Sequence, residues 1–125
     1  MTENKKNKNS IPALVHSIVA GIQEKKGKNI TLLDLSAIED SICKYMVIAE
    51  GNTPTQVEAI SESVREIVWA NEHEKVSYSH QGNGEWIALD YINVMVHLFV
   101  PALRNYYDLE TLWADANRYD FPTEE

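Results

Sequence analysis

Cysteine is almost missing from this chain, and so is any surplus of positive charge. The single cysteine, Cys43, cannot build an intrachain disulfide framework, so nothing calls for an oxidising compartment. Only 11 Lys and Arg stand against 19 Asp and Glu, a formal net charge of −8. Such a surface lacks the basic field with which sequence-independent nucleic-acid binders displace counterions from phosphate, and no sequence-specific nucleic-acid contact is expected either. It suits a basic protein partner, or simply solubility. No apolar run approaches the roughly 18 residues needed to span a bilayer, and no N-terminal run resembles a signal peptide, so a cytoplasmic protein without a membrane partner is expected.

Chemical motifs are equally sparse. His16, His73, His80 and His97 show no H-x-x-H or H-E-x-x-H spacing, and Cys43 has no partner cysteine, so neither a bound metal nor a cofactor is expected. Ser36, Ser41 and Ser61 lack the G-x-S-x-G context of an activated nucleophile. Asp34, Glu50 and Asp90 fall near strand ends, where carboxylates could hold Mg²⁺ for phosphoryl transfer; capping or solvating those ends is the plainer reading, because no D-x-D or D-x-E doublet lies on the strands. Gly51-Asn52-Thr53 before a helix could offer backbone N–H groups to an anion, or be an ordinary capped start. His97 alternates with Val96 and Leu98 and reads as a hydrogen-bonded packing residue, whereas His73 reads as a solvated cation at a helix end.

What the chain does have is a hydrophobic share of 44% over 125 residues, enough for one core. Residues 1–9 are polar and expected to be a disordered tail. Leu14, Val15, Ile18, Val19 and Ile22 recur at helical spacing, with Ser10 as the expected cap and Lys25-Lys26-Gly27 as the stop. Ile30–Leu35 and Tyr45–Ala49 read as buried strands. Thr53-Pro54-Thr55-Gln56 is a capping box with proline at the first helical position. It opens a helix whose core face carries Val57, Ile60, Val64, Ile67 and Val68. Lys75–Ser79 reads as an edge strand, and a parallel crossover from Tyr45–Ala49 to it is the natural use of that helix.

The stretch from His80 to Trp113 holds most of the information. Trp86–Tyr91 and Val94–Phe99 read as a β-hairpin joined at Ile92-Asn93, with Trp86, Ala88 and Asp90 on one face and Ile87, Leu89 and Tyr91 on the other. Neither face is wholly polar, so the hairpin is covered on both sides or presents an apolar patch to a partner. A helical turn follows Pro101, and Asp108 is expected to cap a last helix with Leu109, Leu112, Trp113 and Ala116 on one face. Residues 118–125 are expected to fray, so the domain is placed at 10–117. The order α β β α β β β α describes a single α/β or α+β domain, a mixed β-sheet packed with helices.

Several motifs in this order carry a resemblance. E-W-I-A-L-D-Y, V-M-V-H-L-F and R-N-Y-Y-D-L-E-T-L-W-A-D-A, preceded by L-L-D-L, Y-M-V-I-A-E-G and T-Q-V-E-A-I-S-E-S-V, make residues 12 to 116 similar to the ribosomal silencing factor family, also called RsfS or Iojap-related proteins. The resemblance implies an α/β fold of nucleotidyltransferase-like topology without catalytic residues, hence not an enzyme. It also implies a translational repressor that binds the large ribosomal subunit through ribosomal protein L-fourteen and blocks joining of the small subunit. By motif match Trp86, Asp90, Tyr91 and Ile92 fall on the partner-binding stretch. The chain departs from the family's usual pattern at Gln81-Gly82 in place of Glu-Gly, at Ile92-Asn93 in place of Gly-Asp, and at Lys44, where an acidic residue is frequent. A type I turn with Asn93 in the left-handed region is expected at the second of these, because a β-branched residue resists positive φ. The competing readings are a Mg²⁺-dependent nucleotidyltransferase-like enzyme using Asp34, Glu50 and Asp90, and a homodimer of the free protein.

Overall fold

Two long amphipathic segments and five short strand-like runs, two of them continuously apolar, can bury their apolar surface together by laying the helices on a sheet. The computed structural model describes residues 11–123. In chain order these form α1 (Ala13–Glu24), β1 (Lys28–Asp34), β2 (Tyr45–Glu50), α2 (Pro54–Glu72), β3 (Tyr78–His80), β4 (Trp86–Asp90), β5 (Val94–Phe99), α3 (Pro101–Tyr107), α4 (Leu109–Leu112) and β6 (Asn117–Phe121). The strands make one mixed sheet in the order β3-β4-β5-β2-β1-β6. β2 and β5 are parallel, and the other neighbours are antiparallel.

The caps explain where the helices begin and end. Gln56 N–H donates to Thr53 Oγ1 (3.1 Å), and Gln56 Oε1 accepts from Asn52 N–H (2.7 Å), one residue earlier than the expected reciprocal bond. α1 starts behind Pro12 with no side-chain cap; Ser10 lies outside the described residues, as does the expected tail 1–9. At its end Lys26, at φ 63°, donates to Gln23 O (3.0 Å) while Gly27 N–H reaches Ile22 O (2.9 Å). That pair of bonds satisfies the last carbonyls of the helix. α1 crosses α2 closely: a Cβ on Gly21 would lie 2.7 Å from Val64 Cα, and Ser63 Oγ donates to Gly21 O at 2.8 Å.

Both helices cover one face of the sheet. Val15, Ile18 and Ile22 of α1 and Val57, Ile60, Val64 and Val68 of α2 meet Ile30, Leu32, Val47, Ala49, Ile87, Leu89, Val94, Val96 and Leu98 in the main core. Each of these valine, leucine and isoleucine side chains is worth about 1.5–3 kcal/mol when removed from water. The opposite face carries a smaller cluster of Leu33, Leu35, Cys43, Met46, Ile48 and Phe99, against which Ile38, Leu103, Leu109 and Trp113 pack.

Three expectations are corrected. The strand reached by the α2 crossover, β3, runs in the expected direction but does not pair with β2. β5 takes that place because the β4–β5 hairpin inserts between them. Residues 118–121 do not fray: as part of β6 they pair with β1, Leu32 facing Tyr119, and Thr31 Oγ1 donates to Asp120 Oδ1 at 2.8 Å. The sheet therefore extends past residue 117. Asp108 makes no side-chain cap; at φ 50° it links α3 to α4, which is a single turn, and Leu112 points into solvent.

Candidate partner-binding face

Strand parity decides what the hairpin shows. Ile87 and Leu89 of β4 point under the helices, so Trp86, Ala88 and Asp90 point to the opposite face, beside Met95, His97 and Phe99 of β5. Cover on that face comes from Leu103, Leu109 and Trp113 and does not extend over β3, where Tyr78 and His80 are exposed. Trp86, Ala88 and Asp90 are half-buried as a result. The hairpin is thus roofed on one side and partly open on the other.

Trp86 is the centre of an aromatic cluster on the open side. Its ring lies 4.7 Å from His80, 5.3 Å from Tyr107 and 6.0 Å from each of His97 and Phe99, centroid to centroid. Tyr106 meets Tyr107 edge-on and is 78% exposed. Offset and edge contacts of this kind hold aromatic rings in place beyond what area alone provides. Trp86 Nε1–H donates to His97 Nδ1 at 3.1 Å, which requires that nitrogen to be unprotonated. Burial brings the His97 pKa from 6.5 to about 4, consistent with a neutral ring. His97 is therefore the hydrogen-bonded packing residue that its alternation with Val96 and Leu98 suggests.

Tyr91 corrects an expectation. It was expected to anchor a partner, but it follows Ile87 and Leu89 onto the helix side, is 4% exposed and belongs to the main core. Burial pushes its phenol pKa up, and its hydroxyl has no hydrogen-bond partner among the described residues. What Tyr91 contributes is the root of the turn: its N–H donates to Val94 O and its carbonyl accepts from Asn93 N–H, both at 2.9 Å.

The turn itself is also not the expected one. Ile92, not Asn93, has the positive φ, 75°. With the Asn93-to-Tyr91 bond closing three residues, this is a γ-turn of the rare positive-φ kind. Asp90 makes it feasible, because Asp90 Oδ1 accepts from Ile92 N–H at 2.7 Å. Asn93 O is held from the other side by Lys44 N–H (2.9 Å) and Tyr45 N–H (3.1 Å). The Ile92 side chain is left 68% exposed at the hairpin tip.

The carboxylates weighed as metal ligands do not converge. Asp34 and Asp90 stand on strands separated by two others, roughly 14 Å at about 4.8 Å per strand spacing. Glu50 lies at the opposite end of β2 from the residue paired with Asp34, about 16 Å along. Each has local work: Asp34 accepts from Ser36 N–H (3.0 Å) and Oγ (2.6 Å), Asp90 holds the turn, and Glu50 pairs with Arg104 (3.2 Å). Among the described residues no group of three His, Cys, Asp or Glu is placed to hold a metal ion. The Gly51-Asn52 amides are likewise occupied, by Phe99 O (2.9 Å) and Gln56 Oε1 (2.7 Å), so they form no anion cradle.

Arg104 is the polar residue whose weight the sequence concealed. It is 7% exposed and donates to Asn29 O, to Thr31 Oγ1 (3.0 Å), to Glu50 (3.2 Å) and through two nitrogens to Glu110 Oε2 (2.6 and 2.9 Å). It ties α3 and α4 to β1 and β2, and so carries Tyr107 to its place beside Trp86, with Tyr106 against Tyr107. The spacing Arg104…Glu110 straddles a break between two short helices, so no periodicity rule singles it out.

A family model described as "Ribosomal silencing factor during starvation" matches residues 8–125. A protein of Chromobacterium violaceum named ribosomal silencing factor RsfS is 35% identical over 103 residues, covering 76% of this chain and 77% of that one. One of the same name from Bacillus subtilis is 31% identical over 97 residues, covering 78% and 81%. A crystal structure of a Chromobacterium violaceum protein superposes with a TM-score of 0.74 at 31% identity, covering 81% of this chain and 83% of the other.

Proposed function

The chain belongs to the ribosomal silencing factor family, RsfS, and from that premise we propose that it represses translation by binding the large ribosomal subunit and blocking its union with the small one. The receptor on that subunit is ribosomal protein L-fourteen. The observation that carries this reading is the open half of the sheet: a half-buried Trp86 amid exposed Tyr78, His80, Tyr106 and Tyr107, with Ile92 projecting at the hairpin tip. Aromatic anchors flanked by polar rim are what a protein interface uses, and a patch of about 800 Å² on each partner suffices for stable docking. Occupying that ground excludes a second body without any bond being made or broken.

A reactive role is less well supported, since Asp34, Glu50 and Asp90 are apart and engaged. The contacts are assigned to Trp86 and Ile92, with Asp90 and Tyr91 acting through the turn they build. The net charge of −8 favours approach to a basic target and works against nucleic acid. Among the described residues no helix is long and apolar enough to cross a membrane, in keeping with work in the cytoplasm, where ribosomes are. A free homodimer would cover this same face and dissociate on docking.

Purified protein is mixed with isolated large subunits and sedimented, then small subunits are added. Co-sedimentation with the large subunit and a reduced yield of joined ribosomes are expected. A protein left in the supernatant, or one that co-sediments without lowering joining, overturns the proposal.

A further inference from the structure

Resting on that reading, we infer that Ile92 is the residue that sets partner specificity, seated in an apolar socket of the protein partner, and that Asp90 is the positioning residue that holds it out. Positive φ is disfavoured for a β-branched side chain, and glycine is the residue that accepts it freely. Here an isoleucine takes φ 75° in a three-residue turn, and its side chain remains 68% exposed. No burial within the chain offsets the strain, so the usual reason for an apolar side chain at a strained position is missing. Strain of this kind persists only where the surroundings over-determine it, and it clusters at ligand clamps.

The surroundings do over-determine it. Asp90 Oδ1 takes the Ile92 N–H at 2.7 Å, Tyr91 is bolted to Val94 at 2.9 Å and has its ring in the core, and Asn93 O receives two amides from the start of β2. The turn is pre-formed, so docking need not order it. The occupant is a protein rather than a small molecule, because a single projecting branched side chain offers a knob, not a cavity. It stands on the same hairpin as Trp86, so one partner surface can meet both. Asp90 thus acts through geometry. One of its oxygens is committed to the Ile92 amide, and the acceptor, not the charge, is what the turn needs.

Binding of purified large subunits is titrated for wild type, Ile92→Gly, Asp90→Asn and Asp90→Ala, with melting temperature and hydrogen exchange at the Ile92 amide. Ile92→Gly is expected to melt at or above wild type yet bind about tenfold more weakly. Asp90→Asn, which keeps an acceptor, is expected to bind within about twofold of wild type. Asp90→Ala is expected to lose about fivefold in affinity together with protection of the Ile92 amide. Wild-type affinity in Ile92→Gly overturns the specificity role, a lower melting temperature there overturns the strain argument, and Asp90→Asn as damaging as Asp90→Ala overturns the positioning role. Failure of the wild type to bind instead overturns the functional proposal, and this inference with it.

Discussion

Acidification tests the Trp86–His97 pair directly. His97 is 9% exposed, and burial alone lowers its pKa from 6.5 to about 4. Between those values the unfolded chain takes up a proton that the folded one refuses, so unfolding is favoured. The stabilisation is whole above pH 6.5 and drains away as pH falls toward 4. Linkage with these two pKa values gives a loss of about 2–3 kcal/mol by pH 4.5, a large part of the roughly 5–15 kcal/mol that holds a domain together. The chain's many carboxylates also titrate at the low end, so the comparison must be with a variant lacking only this group. His97→Gln keeps an acceptor for the indole N–H and has no proton to gain. Urea unfolding from pH 7.5 to 4.5, followed by tryptophan fluorescence, should show the wild type losing about 2 kcal/mol more than His97→Gln across that window. Parallel curves, differing by less than about 0.5 kcal/mol in pH dependence, would refute a buried neutral imidazole at this position.

Arg104→Ala leaves the Glu50 and Glu110 carboxylates, 12% and 17% exposed, without their cation; a loss of about 3–5 kcal/mol in chemical denaturation is expected, with only partial rescue by lysine. Tyr91→Phe removes a buried hydroxyl that has no partner among the described residues and should leave stability unchanged or raise it by about 1 kcal/mol. Tyr91→Ala should instead cost about 3–5 kcal/mol through the cavity it opens, so weakened subunit binding by that variant would report unfolding rather than a lost contact. Trp86→Ala, with folding checked by circular dichroism, should weaken large-subunit binding by about 2 kcal/mol; unchanged affinity would remove Trp86 from the interface.

The parts of this fold that were legible in the sequence are those fixed within a few residues. Thr53, Pro54 and Gln56 contain their own cap, and the spacing of Val57, Ile60, Val64 and Val68 needs only the helical period to show its buried face. Strand parity correctly grouped Tyr91 with Ile87 and Leu89. Which side of the sheet the helices would cover is a tertiary fact, however, and it turned the expected anchor into a core residue. β6 was hidden for the same reason: Arg118-Tyr119-Asp120-Phe121 has weak strand character alone and becomes a strand because the free edge of β1 is there to pair with it. At the turn, local propensity argued for Asn93 and was overridden. The Asp90 acceptor and the register of β5 against β2, Val94 facing Tyr45, leave Ile92 as the residue that must bend. The family likeness was legible because its motifs are many and in order, whereas the open face and the Arg104 network exist only once distant segments meet.

The β1–β6 pairing also has a bearing on how the molecule comes into being. Thr31 and Asp120, joined by a hydrogen bond, are 89 positions apart in the chain. A contact that distant forms slowly and late. Until Phe121 arrives, one side of β1 is a bare ladder of donors and acceptors able to recruit a foreign strand. Trimming the chain before Asn117 would leave that ladder bare in the finished fold as well, with clumping of the trimmed protein as the expected result.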